Sequence, residues 1–163
     1  MTELKSYLTE KILKGQRTAI MGVGSVLRSD DGAGMYFIEL LETDIQQEDV
    51  LFIAGSTAPE NFTGVIKDFA PDRLFIIDAA YMGLPVGEAG VIETADIAGM
   101  SFSTHMLPLS VMFDYLALET GCDIVCIGIQ PENTGQGFEM CGKVRTGAEW
   151  LAKRFGDALH NLT

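Results

Sequence analysis

Apolar and polar positions along this chain follow two periods, one helical and one extended. Leu4, Tyr7, Leu8, Ile12 and Leu13 recur at helical spacing, which predicts an amphipathic helix over 2–14 that Gly15 stops. Residues 18–23, TAIMGV, are mostly apolar with β-branched members and predict a buried strand. Gly22 and Gly24 then allow a sharp turn, and Asp30 and Asp31 follow, flanked by Ser29, Gly32 and Gly34. The next apolar run, MYFIELLET, reads as a helix that one of the two carboxylates would cap. Capping does not use two adjacent carboxylates, so the second is left for other work.

Residues 44–49 are mostly polar and turn the chain into a second strand over 50–54, which Gly55 and Ser56 leave. Thr57 with Glu60 three residues on is a capping-box pattern, and Pro59 suits the first turn of a short helix ending near Phe69. A third strand spans 73–77, with Asp78 at its C-terminal end. After a turn-rich stretch with Gly83, Pro85 and Gly87, residues 89–93 form a short strand. About ten residues are too few for a parallel crossover, so this fourth strand is antiparallel or at an edge. Residues 101–104 lead to His105, a helix runs from Leu107 to about Thr120 with Pro108 in its first turn, and a fifth strand covers 123–129. A polar, glycine-rich loop precedes a last helix over 143–159, whose core face carries Val144, Ala148, Leu151, Ala152 and Phe155.

This alternation predicts a three-layer α/β/α domain. Right-handed crossovers favour a sheet order beginning 2-1-3, with a crevice beyond the C-terminal ends of strands one and three. The Asp30/Asp31 loop and Asp78 both fall there. At 163 residues and 47% hydrophobic, the chain is expected to be one domain over 1–163, with residues 1–15 a helical extension packed on its outside.

Charge narrows the partners. A net charge of −12 and a pI near 4.4 argue against nucleic acid and against an anionic membrane surface. No run approaches the roughly 18 apolar residues of a membrane span. The first fifteen residues lack the apolar core of a signal peptide, so a cytoplasmic location is expected. Cys122 and Cys126 fall on or beside one strand, where four residues separate them by about 13 Å, beyond disulfide reach. With Cys141 they read as ordinary reduced thiols.

The turn after strand one invites a nucleotide reading, but the pattern is Gly22-x-Gly24-x-x-Leu27, without the third glycine. A pyrophosphate there would face Asp30 and Asp31, which repel it. Asp78 closes the apolar run LFIID, and a buried carboxylate needs a hydrogen bond, a partner, a site mouth or a metal. His105 can be structural, or it can reach the same crevice. Two aspartates and a histidine make a three-ligand site suited to nickel, zinc, manganese or iron. The same residues also suit a catalytic carboxylate pair or a base assisted by imidazole. No GxSxG, HExxH or adjacent cysteine–histidine pattern is present, which weakens serine, zinc and cysteine hydrolase readings.

The segments GVGSVLRSDDGAG, GSTAPEN, IIDAAYMGLPVGE, STHMLPLS and GIQPE occur in this order over residues 18–157. Together they resemble the maturation endopeptidases of [NiFe] hydrogenases, in particular the branch that processes the hydrogenase 3 (formate hydrogenlyase) large subunit. Ser25 stands where many relatives have asparagine, and the N-terminal helix lies outside the pattern. The resemblance implies a five-stranded, mixed, mostly parallel sheet of order 2-1-3-5-4 with strand 4 antiparallel, in a phosphorylase/hydrolase-like domain. It implies an endopeptidase that removes a C-terminal extension from the precursor large subunit once nickel is inserted. The family's metal-contacting positions map onto Asp31, Asp78 and His105, with Asp31 and Asp78 also the catalytic candidates. The metal is nickel recognised in the substrate, and other divalent ions can take the same place in the isolated protein. Gly24, Asp30, Gly55, Ser56 and Thr57 would form a loop that an extended substrate approaches. The expected state is a monomer. Two other readings predict different behaviour: a non-cleaving nickel-binding escort of the precursor, and a nucleotide-binding α/β protein.

Overall fold

The computed structural model describes residues 2–45, 47–92 and 109–160. Its five strands are β1 (Thr18–Val23), β2 (Val50–Ser56), β3 (Arg73–Ala79), β4 (Ala89–Ile92) and β5 (Asp123–Ile129). They form one sheet in the order β2-β1-β3-β5-β4. Strands β1, β2, β3 and β5 are parallel, and β4 runs antiparallel to β5 at the edge. The helices are α1 (Thr2–Lys11), α2 (Ala33–Asp44), α3 (Thr63–Phe69), α4 (Leu109–Thr120) and α5 (Gly142–His160). The expected start of α4 at Leu107–Pro108, and His105 itself, lie outside the described residues.

Period-two side-chain alternation splits the sheet's contacts into two cores. Ile20, Phe75, Ile77, Val125, Ile127 and Ile129 face α1, α2 and α5. Ala19, Met21, Val23, Leu74, Ile76 and Cys126 face α3 and α4. Both faces are covered, so β1 is buried at every position, as a central parallel strand should be. In the first core Phe155 meets Phe37 and Phe75 edge to face, with centroids 5.2 and 5.1 Å apart. Phe155→Ala is expected to cost about 3–5 kcal/mol, read as a shift in urea midpoint with unchanged slope.

Local differences from the sequence expectations have physical causes. Helix α1 ends at Lys11, so Leu13 is exposed, while Leu4, Leu8 and Ile12 are buried. Gly55 and Ser56 stay in β2, because the register slips between Gly22 and Val23 and pairs Val23 with Ser56. The capping box at Thr57 does not form. Pro59–Phe62 instead makes a 3-10 turn entered from Ala58, with no side-chain cap, and α3 follows it. Among the described residues no helix is long and apolar enough to cross a membrane.

Helix α2 begins hard against the C-terminal ends of β1 and β3. A Cβ at Gly34 would lie 2.4 Å from the Val23 carbonyl oxygen and 2.3 Å from that of Ile77. Only glycine permits this approach, and it brings the acidic turn before α2 down onto the strand ends.

Candidate active site

Asp30 and Asp31 sit in a 3-10 turn, Ser29–Gly32, that leads directly into α2. Neither caps that helix. Its N-cap is Gly32, without a side-chain hydrogen bond. The two carboxylates are both buried, but they have separate tasks.

Asp30 ties down the loop after β5. Its Oδ2 accepts the amides of Glu132 and Asn133, each at 2.9 Å, and its Oδ1 accepts that of Cys141 at 2.7 Å. Around this centre the backbone amides of Ser29, Asp30 and Gly137 donate to the carbonyls of Gly137, Asn133 and Leu27. The Arg28 guanidinium donates to the Thr134 carbonyl at 3.1 Å. The loop over 131–141 is thus zipped to the turn that carries Asp31.

Asp31 accepts the Ser25 amide on Oδ2 at 3.0 Å. That donor is backbone, so the contact does not depend on whether serine or asparagine occupies the position. Asp78, fully buried in the last turns of β3, accepts the Ala79 amide on Oδ1 at 2.8 Å. Gly24 joins the two. With φ at +123°, it would carry a Cβ 1.9 Å from the Asp31 carbonyl oxygen and 3.4 Å from Asp78 Oδ1. Its amide donates to the Ser56 carbonyl. The ends of β1, β2 and β3 therefore converge with the acidic turn on one glycine, at the C-terminal edge of the sheet where α/β folds bind ligands.

Burying carboxylates is costly unless their charge does work or is compensated. One consequence is visible at Cys126, whose thiol is pushed up by burial and further by the Asp78 charge. All three thiols are free, with Cys122 and Cys126 buried and Cys141 partly accessible. A thiol reagent at neutral pH is expected to label Cys141 in the native protein and to reach Cys122 and Cys126 only after unfolding, as counted by intact mass. Among the described residues no group of three histidine, cysteine or acidic side chains could hold a metal by itself. The described part of the expected Asp/Asp/His set is the two carboxylates, and His105 lies outside it.

Sequence reasoning missed Gln130. Its buried side chain accepts the amides of Met82 and Leu84 through Oε1, at 2.8 and 3.2 Å, and so braces the connection that leaves Asp78. The available signal was its position just past β5, two residues beyond Gly128, which pairs with Asp78 on the neighbouring β3. Thr57, expected in the substrate loop, follows β2 directly beside Ser56.

A three-layer α/β/α domain with buried carboxylates gathered at the C-terminal edge of its sheet has its site where open α/β sheets bind ligands. A sequence model described as hydrogenase maturation protease (HycI) matches residues 35–155. The chain belongs to the hydrogenase maturation protease family and is a peptide hydrolase. It is 35% identical over 136 residues to the hydrogenase 3 maturation protease of Escherichia coli, covering 83% of this chain and 86% of that one. The crystal structure of a [NiFe] hydrogenase maturation protease, HycI from Thermococcus kodakarensis, superposes with a TM-score of 0.86 at 34% identity, over 94% of this chain and 99% of that one. The E. coli endopeptidase HybD shares the fold, with a TM-score of 0.69 at 22% identity over 90% and 91% of the two chains. The five-stranded mixed sheet of order 2-1-3-5-4 is therefore that of the family.

Proposed function

We propose that this protein removes the C-terminal extension from the precursor large subunit of a [NiFe] hydrogenase after nickel insertion, and that Asp31, Asp78 and His105 meet the nickel held by that substrate. The observation that carries this reading is that two buried carboxylates, Asp78 from β3 and Asp31 from the acidic turn, meet the end of β1: Gly24 packs against Asp78 Oδ1 and the Asp31 backbone, and the next amide, Ser25, donates to the Asp31 carboxylate. Two carboxylates are an incomplete ligand set, which suits a metal arriving with thiolate ligands of its own. Nickel then acts as a recognition element: a precursor without it lacks the group that docks, and maturation is proofread.

The chemistry is peptide hydrolysis with carboxylate assistance. A water molecule attacks the scissile carbonyl as Asp31 or Asp78 takes its proton, and that proton then passes to the leaving amine. Ser56 and Thr57, exposed at the end of β2, offer an extended peptide access to the strand ends, and Gly24 and Gly55, buried against Asp31 and Gly22, shape that edge from within. With a net charge of −12, the partner is a protein rather than nucleic acid or an anionic membrane, and the enzyme acts as a cytoplasmic monomer.

Catalytic amounts of the protein are expected to convert an excess of nickel-loaded precursor, with one C-terminal peptide released per precursor. Capture in a stoichiometric complex without peptide release would favour the escort instead.

A further inference from the structure

We infer that the cleft between α2 and the 131–141 loop is a docking site for an apolar side chain of the protein substrate, with Phe138 as its exposed anchor. The cleft encloses about 290 Å³ and is lined by Val26, Ser29, Gly32, Met35, Phe138 and Met140. Ser29 and Gly32 are the two ends of the turn that carries Asp31, so one wall of the cleft is the turn that also holds a carboxylate of the proposed active site. Phe138 is 84% exposed and Val26 59% exposed. Large apolar side chains left this open beside a cleft mark an interaction surface.

The loop is built to hold Phe138 there. The preceding residue, Gly137, exchanges backbone hydrogen bonds with Leu27 and Ser29, and Asp30 anchors the loop on both sides, at Asn133 and Cys141. An anchor presented on a fixed loop loses little entropy on binding. Met35 and Met140 supply adaptable walls for an apolar guest. Glu39 and Glu42, one and two turns further along α2, set charge at the end away from the acidic turn. The apolar part of the cleft is thus the part next to the turn that carries Asp31, while Arg145, stacked over Tyr36, adds a positive charge to the lining. This inference rests on the proposed function for the identity of the substrate.

The test uses nickel-loaded precursor large subunit and measures both its dissociation constant and its processing. Phe138→Ser and Val26→Glu are each expected to raise Kd and KM by about tenfold, since each removes a buried apolar contact from the complex. Both residues are exposed in the free protein, so its thermal midpoint should not move. Leu118→Ser is the control: it is 86% exposed on α4, across the sheet, and should change neither constant. Wild-type Kd and KM in both cleft variants would overturn the docking site while leaving the protease intact. If the wild type binds precursor without cutting it, the proposed function fails, and the variants' Kd values still decide the docking site. If the wild type neither binds nor cuts, both inferences fall.

Discussion

Asp78→Asn lowers processing of the precursor by at least about a hundredfold and leaves the fold in place, if Asp78 is the charged group proposed here. The asparagine oxygen can keep the hydrogen bond from the Ala79 amide at 2.8 Å. The side chain is fully buried, so removing its charge relieves a desolvation cost instead of adding one. Asp31→Asn behaves alike for the same reason, since its oxygen can still accept the Ser25 amide. Turnover of nickel-loaded precursor, followed beside thermal unfolding of each variant, separates loss of chemistry from loss of structure. A variant with full activity would remove that residue from the site.

Asp30 responds in the opposite way. Asp30→Ala strips three amides of their acceptor and is expected to cost about 2–4 kcal/mol, allowing for water reaching part of the loop. Asparagine does not rescue it. Glu132 and Asn133 share one carboxylate oxygen and Cys141 uses the other, so an amide group would set its own N–H donors against one side of this arrangement. Asp30→Asn is therefore expected to lose about 1–3 kcal/mol. Amide exchange within 131–141 should accelerate in both variants, while β1 and β3 stay protected. Unchanged exchange in that loop would show that the pin is dispensable. The neighbouring aspartates are thus distinguished by one substitution: asparagine leaves stability unchanged at Asp31 and lowers it at Asp30.

The sequence announced strands more reliably than it announced what buried polar groups do. TAIMGV reads as a buried strand because it is mostly apolar with β-branched members, and its bounds are those of β1, which is buried at every position. Right-handed crossovers predict the 2-1-3 start of the sheet and the short link predicts β4 antiparallel or at an edge, while the full order is what the family resemblance implied. Asp78 was visible as a carboxylate closing an apolar run. The role of Asp30 was not legible, because its partners lie 102, 103 and 111 residues downstream and donate through backbone amides, which carry no side-chain signature. Local reasoning gave one of the pair to a helix cap and left the other open, whereas neither caps α2 and the long-range loop takes Asp30. Gly55 and Ser56 read as strand-breaking because the slip in register at Gly22 and Val23 depends on a neighbouring strand. The turn at Gly24 was legible as a turn, but its closeness to Asp78 required the parallel packing of β1 on β3.

The central claim is that nickel in the substrate licenses cleavage at the Asp31/Asp78 edge. Intact mass spectrometry of nickel-loaded and nickel-free precursor, before and after catalytic amounts of this protein, tests it most directly. The account predicts loss of one C-terminal peptide from the loaded precursor and none from the nickel-free form. Equal cleavage of both would contradict recognition through the metal.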